Sequence, residues 1–169
     1  MKTQRIAIIL SIFTIILTSC SNQSRLLANI DSYIQTYPDS AYTELKKYKE
    51  SNFKSRKNRA KYCTLYATAL DKNYNDTSKF LDTLISYKNY YAHHGSKRDR
   101  MLYNFYLGDQ MSDSGMPESA IACFSEALKY ATNINDWFYC GTASQWISIL
   151  YAKQYNYNQQ LEYAKKACH

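Results

Sequence analysis

The chain has 169 residues, with 21 Lys and Arg against 14 Asp and Glu, a length that fits one domain rather than two. Its 4 Gly and 2 Pro are too few to punctuate an all-β protein, and a hydrophobic content of 46% excludes a disordered one. Tyrosine stands out: 18 Tyr against 2 Trp and 6 Phe put hydroxyls on much of the apolar surface, which suits partly wet packing faces.

Residues 1 to 20 read as a basic start (Lys2, Arg5), an apolar middle (Ile6 to Leu17) and a polar end (Thr18-Ser19-Cys20). Interrupted by Ser11 and Thr14, the apolar run falls short of the roughly 20 residues that span a bilayer, but it fits the apolar region of an export signal. Leu17-Thr18-Ser19-Cys20, directly after that run, resembles the bacterial lipobox, whose cysteine thiol accepts a diacylglycerol. The resemblance implies a signal peptide over 1–19 and lipidation of Cys20, which becomes the mature N-terminus. Each methylene buried in the membrane contributes about 0.8 kcal/mol, so two or three acyl chains anchor the protein durably. Loss of Lys2 and Arg5 leaves 19 cations against 14 acids, a mature charge of +5. Residues 20–24 then form a short polar tether, and 25–169 the folded domain.

Beyond the tether, periodicity predicts helices at 25–36, 39–51, 57–73, 79–92, 98–113, 117–133, 136–154 and 158–168. Turn signals separate them at Tyr37-Pro38-Asp39, Asn73-Tyr74-Asn75-Asp76, His94-Gly95-Ser96 and Ser114-Gly115. No segment alternates as a strand does, so the fold class is all-α. Lys54, Arg56, Lys57, Arg59 and Lys61 form the densest basic stretch, at a join between helices. Such a cluster attracts anionic lipid or an acidic partner, although a solvated linker is its commoner use. Nucleic acid is disfavoured, because the signal sends the chain away from it.

Internal repetition is the strongest pattern. Residues 101–132 carry a large-then-small pair at Leu107-Gly108, a turn at Gly115, and Ala120, Phe124 and Ala127 on one face of the following helix. Gly108 and Ala120 are small where two backbones approach, and Phe124 fills the space beside them. Pro117 suits a first helical turn and Glu118 its dipole. Forty residues onward from Gly108, Ala120, Phe124 and Ala127 stand Ser148, Gln160, Ala164 and Ala167; forty back from Ala120, Phe124 and Ala127 stand Phe80, Leu84 and Tyr87. One more step back, shifted by one, gives Ala41, Leu45 and Tyr48. Tyr66-Ala67 and Ile147-Ser148 repeat the large-small pair of Leu107-Gly108. The pattern predicts an α-solenoid of antiparallel helix hairpins with a period of about 40 residues, longer than the usual tetratricopeptide (TPR) repeat of about 34.

The lipobox, this lattice, and the blocks Ala69-Leu70-Asp71-Lys72-Asn73-Tyr74, Tyr90-Tyr91 with His94-Gly95-Ser96, and Leu161-Glu162-Tyr163-Ala164-Lys165-Lys166-Ala167 are together similar to the TPR lipoproteins of Bacteroidetes. The resemblance implies a TPR-like fold, a protein or peptide partner, and a place in the bacterial cell envelope. Members of the family it resembles that reach the cell surface often carry an acidic run after the cysteine; none follows Cys20, so the resemblance implies the periplasmic side of the outer membrane. Carried over from the family, the protein-binding groove comprises Lys61, Thr64 and Thr68, then Leu102, Phe105 and Asp109, then Thr142, Gln145 and Ile149. Leu102 and Phe105, if exposed, would make an apolar anchor for a peptide; the alternative is that both pack on the preceding helix.

Other chemistry finds little support. Cys63, Cys123, Cys140 and Cys168 lack zinc or thioredoxin spacing and are left to packing or to disulfides. His93 and His94 point to different faces of a helix and His169 is terminal, so no metal site is expected. No nucleophile elbow, Walker or dinucleotide-binding string occurs, and neither an enzyme nor a cofactor is expected. The leading expectation is a lipid-anchored scaffold or adaptor for protein–protein interaction. The alternative is the sensory input region of a membrane-bound regulator, its gene truncated, because the chain stops at Cys168-His169 inside a predicted helix and without a polar capping helix.

Overall fold

A computed structural model describes residues 22–75 and 80–167, and among these every regular element is helical. Cys20 and the signal segment lie outside the described residues, as do Cys168 and His169. The chain divides into two units, Met1–Asn73 and Tyr74–His169.

In the first unit, α1 (22–33) turns Leu27 and Ile30 inward, followed by Ile34, the three- and four-residue spacing of a helix face. The helix is already running at residue 22, within the segment expected to be tether. Gln23 Nε2 donates to the Asn52 carbonyl at 2.8 Å, and Ser24 Oγ donates to Asn58 Oδ1 at 3.0 Å. Pro38 opens α2 (Pro38–Leu45), with Asp39 in the first turn, where a carboxylate faces the positive end of the dipole. Short of the expected residue 51, α2 gives way to a 3₁₀ turn at Glu50–Asn52. Ser55 caps α3 (Arg56–Lys72) by accepting from the Asn58 amide. Tyrosine supplies much of the adhesion here. The rings of Tyr42, Tyr66, Tyr62, Phe53 and Tyr48 follow one another at centroid distances of 6.0, 5.7, 4.9 and 5.9 Å, and the Tyr62 hydroxyl donates to the Tyr48 carbonyl.

In the second unit the helix expected over 79–92 is two: α4 (Leu81–Ser86) and α5 (Lys88–His93), broken at Tyr87. The Leu84 carbonyl there accepts both the Tyr87 amide, at 3.0 Å, and the Tyr103 hydroxyl, at 2.9 Å. There follow α6 (Lys97–Asp113), α7 (Pro117–Ile134), α8 (Trp137–Lys153) and α9 (Tyr157–Ala167), each packed on the next. Contacts run from Lys97–Asn133 to Gly108–Ala120 across α6 and α7, from Thr132–Cys140 to Glu118–Gln154 across α7 and α8, and from Gly141–Ala167 to Ser148–Gln160 across α8 and α9. Position rises along one helix as it falls along its neighbour, so each pair is antiparallel.

The close approach expected at Gly108 and Ala120 is present: a Cβ on Gly108 would stand 3.2 Å from the Ala120 carbonyl oxygen and from Phe124 Cδ1. Forty residues later Ser148 Oγ donates to the Gln160 carbonyl at 3.0 Å. Helices α3, α6 and α8 each have 17 residues and each is capped by a side chain, Ser55, Ser96 and Asp136, that accepts the amide three positions on. They end at turns whose left-handed residues are Tyr74, Gly115 and Tyr155. Around Gly115 the amides of Ser114, Gly115 and Met116 donate to the carbonyls of Gln110, Ser112 and Met111; around Tyr155 those of Gln154, Tyr155 and Asn156 donate to Leu150, Ala152 and Tyr151. Both turns close with the six-to-one bond of a Schellman motif.

Candidate functional site

The nine expected groove residues fall into three different environments. Lys61 is part-buried and its ammonium pairs with Asp31 at 2.8 Å. Thr64 and Thr68 are buried, and their hydroxyls donate to the carbonyls of Ala60 and Thr64 one turn back, so they serve their own helix. The rest of the basic stretch keeps Lys54, Arg56 and Lys57 exposed, and Arg59 half-buried.

Leu102, Phe105 and Asp109 are also buried, at 1%, 6% and 7% exposure, so of the two alternatives for Leu102 and Phe105 it is packing, not an exposed apolar anchor, that α6 shows. The cause is visible at Phe105. Its ring lies 5.4 Å from that of Phe124 on α7 and 5.0 Å from that of Tyr139 on α8, both edge-on, so rings of the following helices pack against it. Phe124 is in turn stacked on Trp146 of α8, at 6.1 Å and 4°.

Thr142, Gln145 and Ile149 are brought together. With Phe138, Gly141 and Ser148 of α8, and Ala164 and Ala167 of α9, they line an open depression of about 490 Å³. Gln145 stands where Phe105 stands in the preceding pair, and Ala164 where Phe124 stands. The faces that Tyr139 and Trp146 cover on α6 and α7 thus have open counterparts on α8 and α9. Phe138 is 64% exposed beside Trp137 at 66%, and α9 holds no buried residue although Tyr157 and Leu161 lie on it. Sequence reasoning missed Phe138 and the α9 residues. The adjacent exposed rings at the start of α8 were the available signal, since no helix face buries two neighbours equally.

Cys63, Cys123 and Cys140 are free thiols. Burial pushes the first two up from the ordinary thiol value, which suppresses the thiolate and makes them poor nucleophiles. The Cys123 sulfur lies 3.7 Å from that of Met111, whereas Cys140 is only half-buried. Among the described residues no group of three or more His, Cys, Asp and Glu could hold a metal ion. His94 packs its ring 5.2 Å from that of Tyr90, while its carbonyl accepts from Arg100 Nε.

Compared with protein-family models, with curated proteins and with solved structures, the chain matches none. No helix among the described residues is long and apolar enough to cross a membrane.

Proposed function

We propose that the chain is a lipid-anchored scaffold of TPR-like helix pairs, with a period of about 40 residues, that holds an amphipathic helix of a partner protein in the bacterial envelope. The repeat is supported by the caps and left-handed turns, which recur at steps of 41 and then 40 residues along the chain. The binding role rests on one observation: the face that α8 covers in the α6–α7 pair has an open counterpart, lined by Thr142, Gln145 and Ile149, in the α8–α9 pair. A partner helix placed there would put an apolar side chain against Phe138 and Ile149, as Tyr139 and Trp146 sit on Phe105 and Phe124. The anchor rests on the sequence alone, on Leu17-Thr18-Ser19-Cys20 after the apolar run.

Two experiments test the two halves. A clickable fatty acid fed to cells should label the wild type and not Cys20→Ala; equal labelling of both, or of neither, overturns the anchor. A photo-crosslinking residue at Gln145 should yield one protein adduct in intact cells, lost on Phe138→Asp with Ile149→Asp while the circular dichroism stays helical. No adduct, or an adduct that survives both changes, overturns the docking face.

A further inference from the structure

Arg100 and Cys140 occupy the same place in successive pairs, each four residues after its cap, Ser96 or Asp136. They use that place differently. The Arg100 side chain extends across to α7, where its guanidinium sits 5.9 Å from the Tyr130 ring centre and one nitrogen donates to the Tyr130 hydroxyl. Cys140 is short and its sulfur stops 3.6 Å from Thr132 Oγ1. Between α7, α8 and α9 a cavity of about 460 Å³ remains open, within the range of small-molecule sites.

The chemistry of the cavity is specific. Leu128 and Trp137 contribute large apolar side chains to its lining, together with Cys140 and Thr132. Ser144 also lines it, only 1% exposed, and its hydroxyl has no hydrogen-bond partner within the protein. A buried hydroxyl left unbonded costs free energy, so a polar atom arriving in the cavity gains what the fold leaves unmade. Lys165 and Lys166 complete the lining, to which no carboxylate among the described residues contributes. The Lys166 ammonium also meets Glu162 at 2.7 Å and stands 4.4 Å from the Tyr163 ring centre, so its charge is shared with a carboxylate of its own helix.

We propose that this cavity binds a small amphiphilic anion of the fatty-carboxylate class, its chain against Leu128 and Trp137 and its acid group met by the two lysines and the Ser144 hydroxyl. A neutral chain would fill the walls without engaging the lysines or the Ser144 hydroxyl. A bare anion would do the reverse.

The test uses the full chain and decanoate as the probe, below its micelle concentration. Iodoacetamide alkylation of Cys140, mapped by mass spectrometry, should slow about tenfold at a decanoate concentration of about ten times Kd. Decanol should protect about tenfold less well, having lost the charge-assisted bonds. Cys140→Arg, which copies the residue of the preceding pair, should abolish decanoate binding in titration calorimetry. Because that variant could also perturb packing, Lys165→Gln with Lys166→Gln provides a second arm, changing exposed side chains only; it should weaken decanoate and leave decanol unchanged. Equal protection by decanoate and decanol overturns the anion site. Unchanged decanoate binding in both variants, or no protection of Cys140 at all, overturns the cavity as a site.

Discussion

In the α6–α7 pair the helices meet through Gly108 and the backbone of Ala120; in the α8–α9 pair the same places hold Ser148 and Gln160 and meet through a hydrogen bond. The difference extends outward from that contact. Phe105 and Phe124 are buried under rings of α8, whereas Gln145 and Ala164 face an open depression. Gly115 makes its turn without strain, while Tyr155 makes the same turn with a β-carbon in the left-handed region. Arg100 bridges to its neighbour, and Cys140 leaves a cavity. Similar caps and turns thus frame close packing in one pair and accessible surface in the next.

The contrast can be broken most forcefully at Phe124. Phe124→Ala should cost about 3–5 kcal/mol in urea melts, because a fully buried ring leaves a cavity, whereas Leu161→Ala on α9 should stay within about 0.5 kcal/mol. Equal costs would mean that α9 is as well packed as α7. Gly108→Val should cost about 1–3 kcal/mol, since even a Cβ meets a backbone oxygen there, while Ser148→Ala should lose only about 1 kcal/mol with its hydrogen bond. A smaller but opposite effect is expected at Gln110, which is buried with neither amide atom bonded and whose counterpart in the next pair is Leu150. Gln110→Leu should raise stability by about 1–2 kcal/mol, and a loss instead would reveal a partner for the amide. Last, Tyr155→Gly should stabilise by about 1 kcal/mol by relieving the left-handed backbone, read as a shift in the denaturation midpoint.

The parts of the fold that were legible in the amino-acid order are those where geometry dictates residue type. Gly108, Ala120 and Phe124 mark a backbone approach that excludes larger side chains, and Pro117 and Gly115 mark helix ends, so α6 and α7 could be placed closely. The break at Tyr87 could not, because it depends on a hydroxyl from Tyr103, which reaches the Leu84 carbonyl only once the chain has folded. Of the three residue groups expected to line a groove, only Thr142, Gln145 and Ile149 border an open depression. Periodicity identifies a helix face without saying how many neighbours cover it, so it left open whether Leu102 and Phe105 were exposed; both are buried, whereas Phe138 and Ile149 are exposed. The Cys140 cavity had a trace as well, the replacement of a long cation by a short thiol at matched positions, but its meaning required knowing where Arg100 reaches.

Both tryptophans, Trp137 and Trp146, lie on α8, while the aromatic ladder of the first unit is built from tyrosine and phenylalanine alone. Light absorbed at the red edge of the spectrum therefore excites the second unit and leaves the first dark. A single sample carries a built-in optical label for the half of the molecule that bears the open surface, and its emission can follow that half through denaturation without any dye.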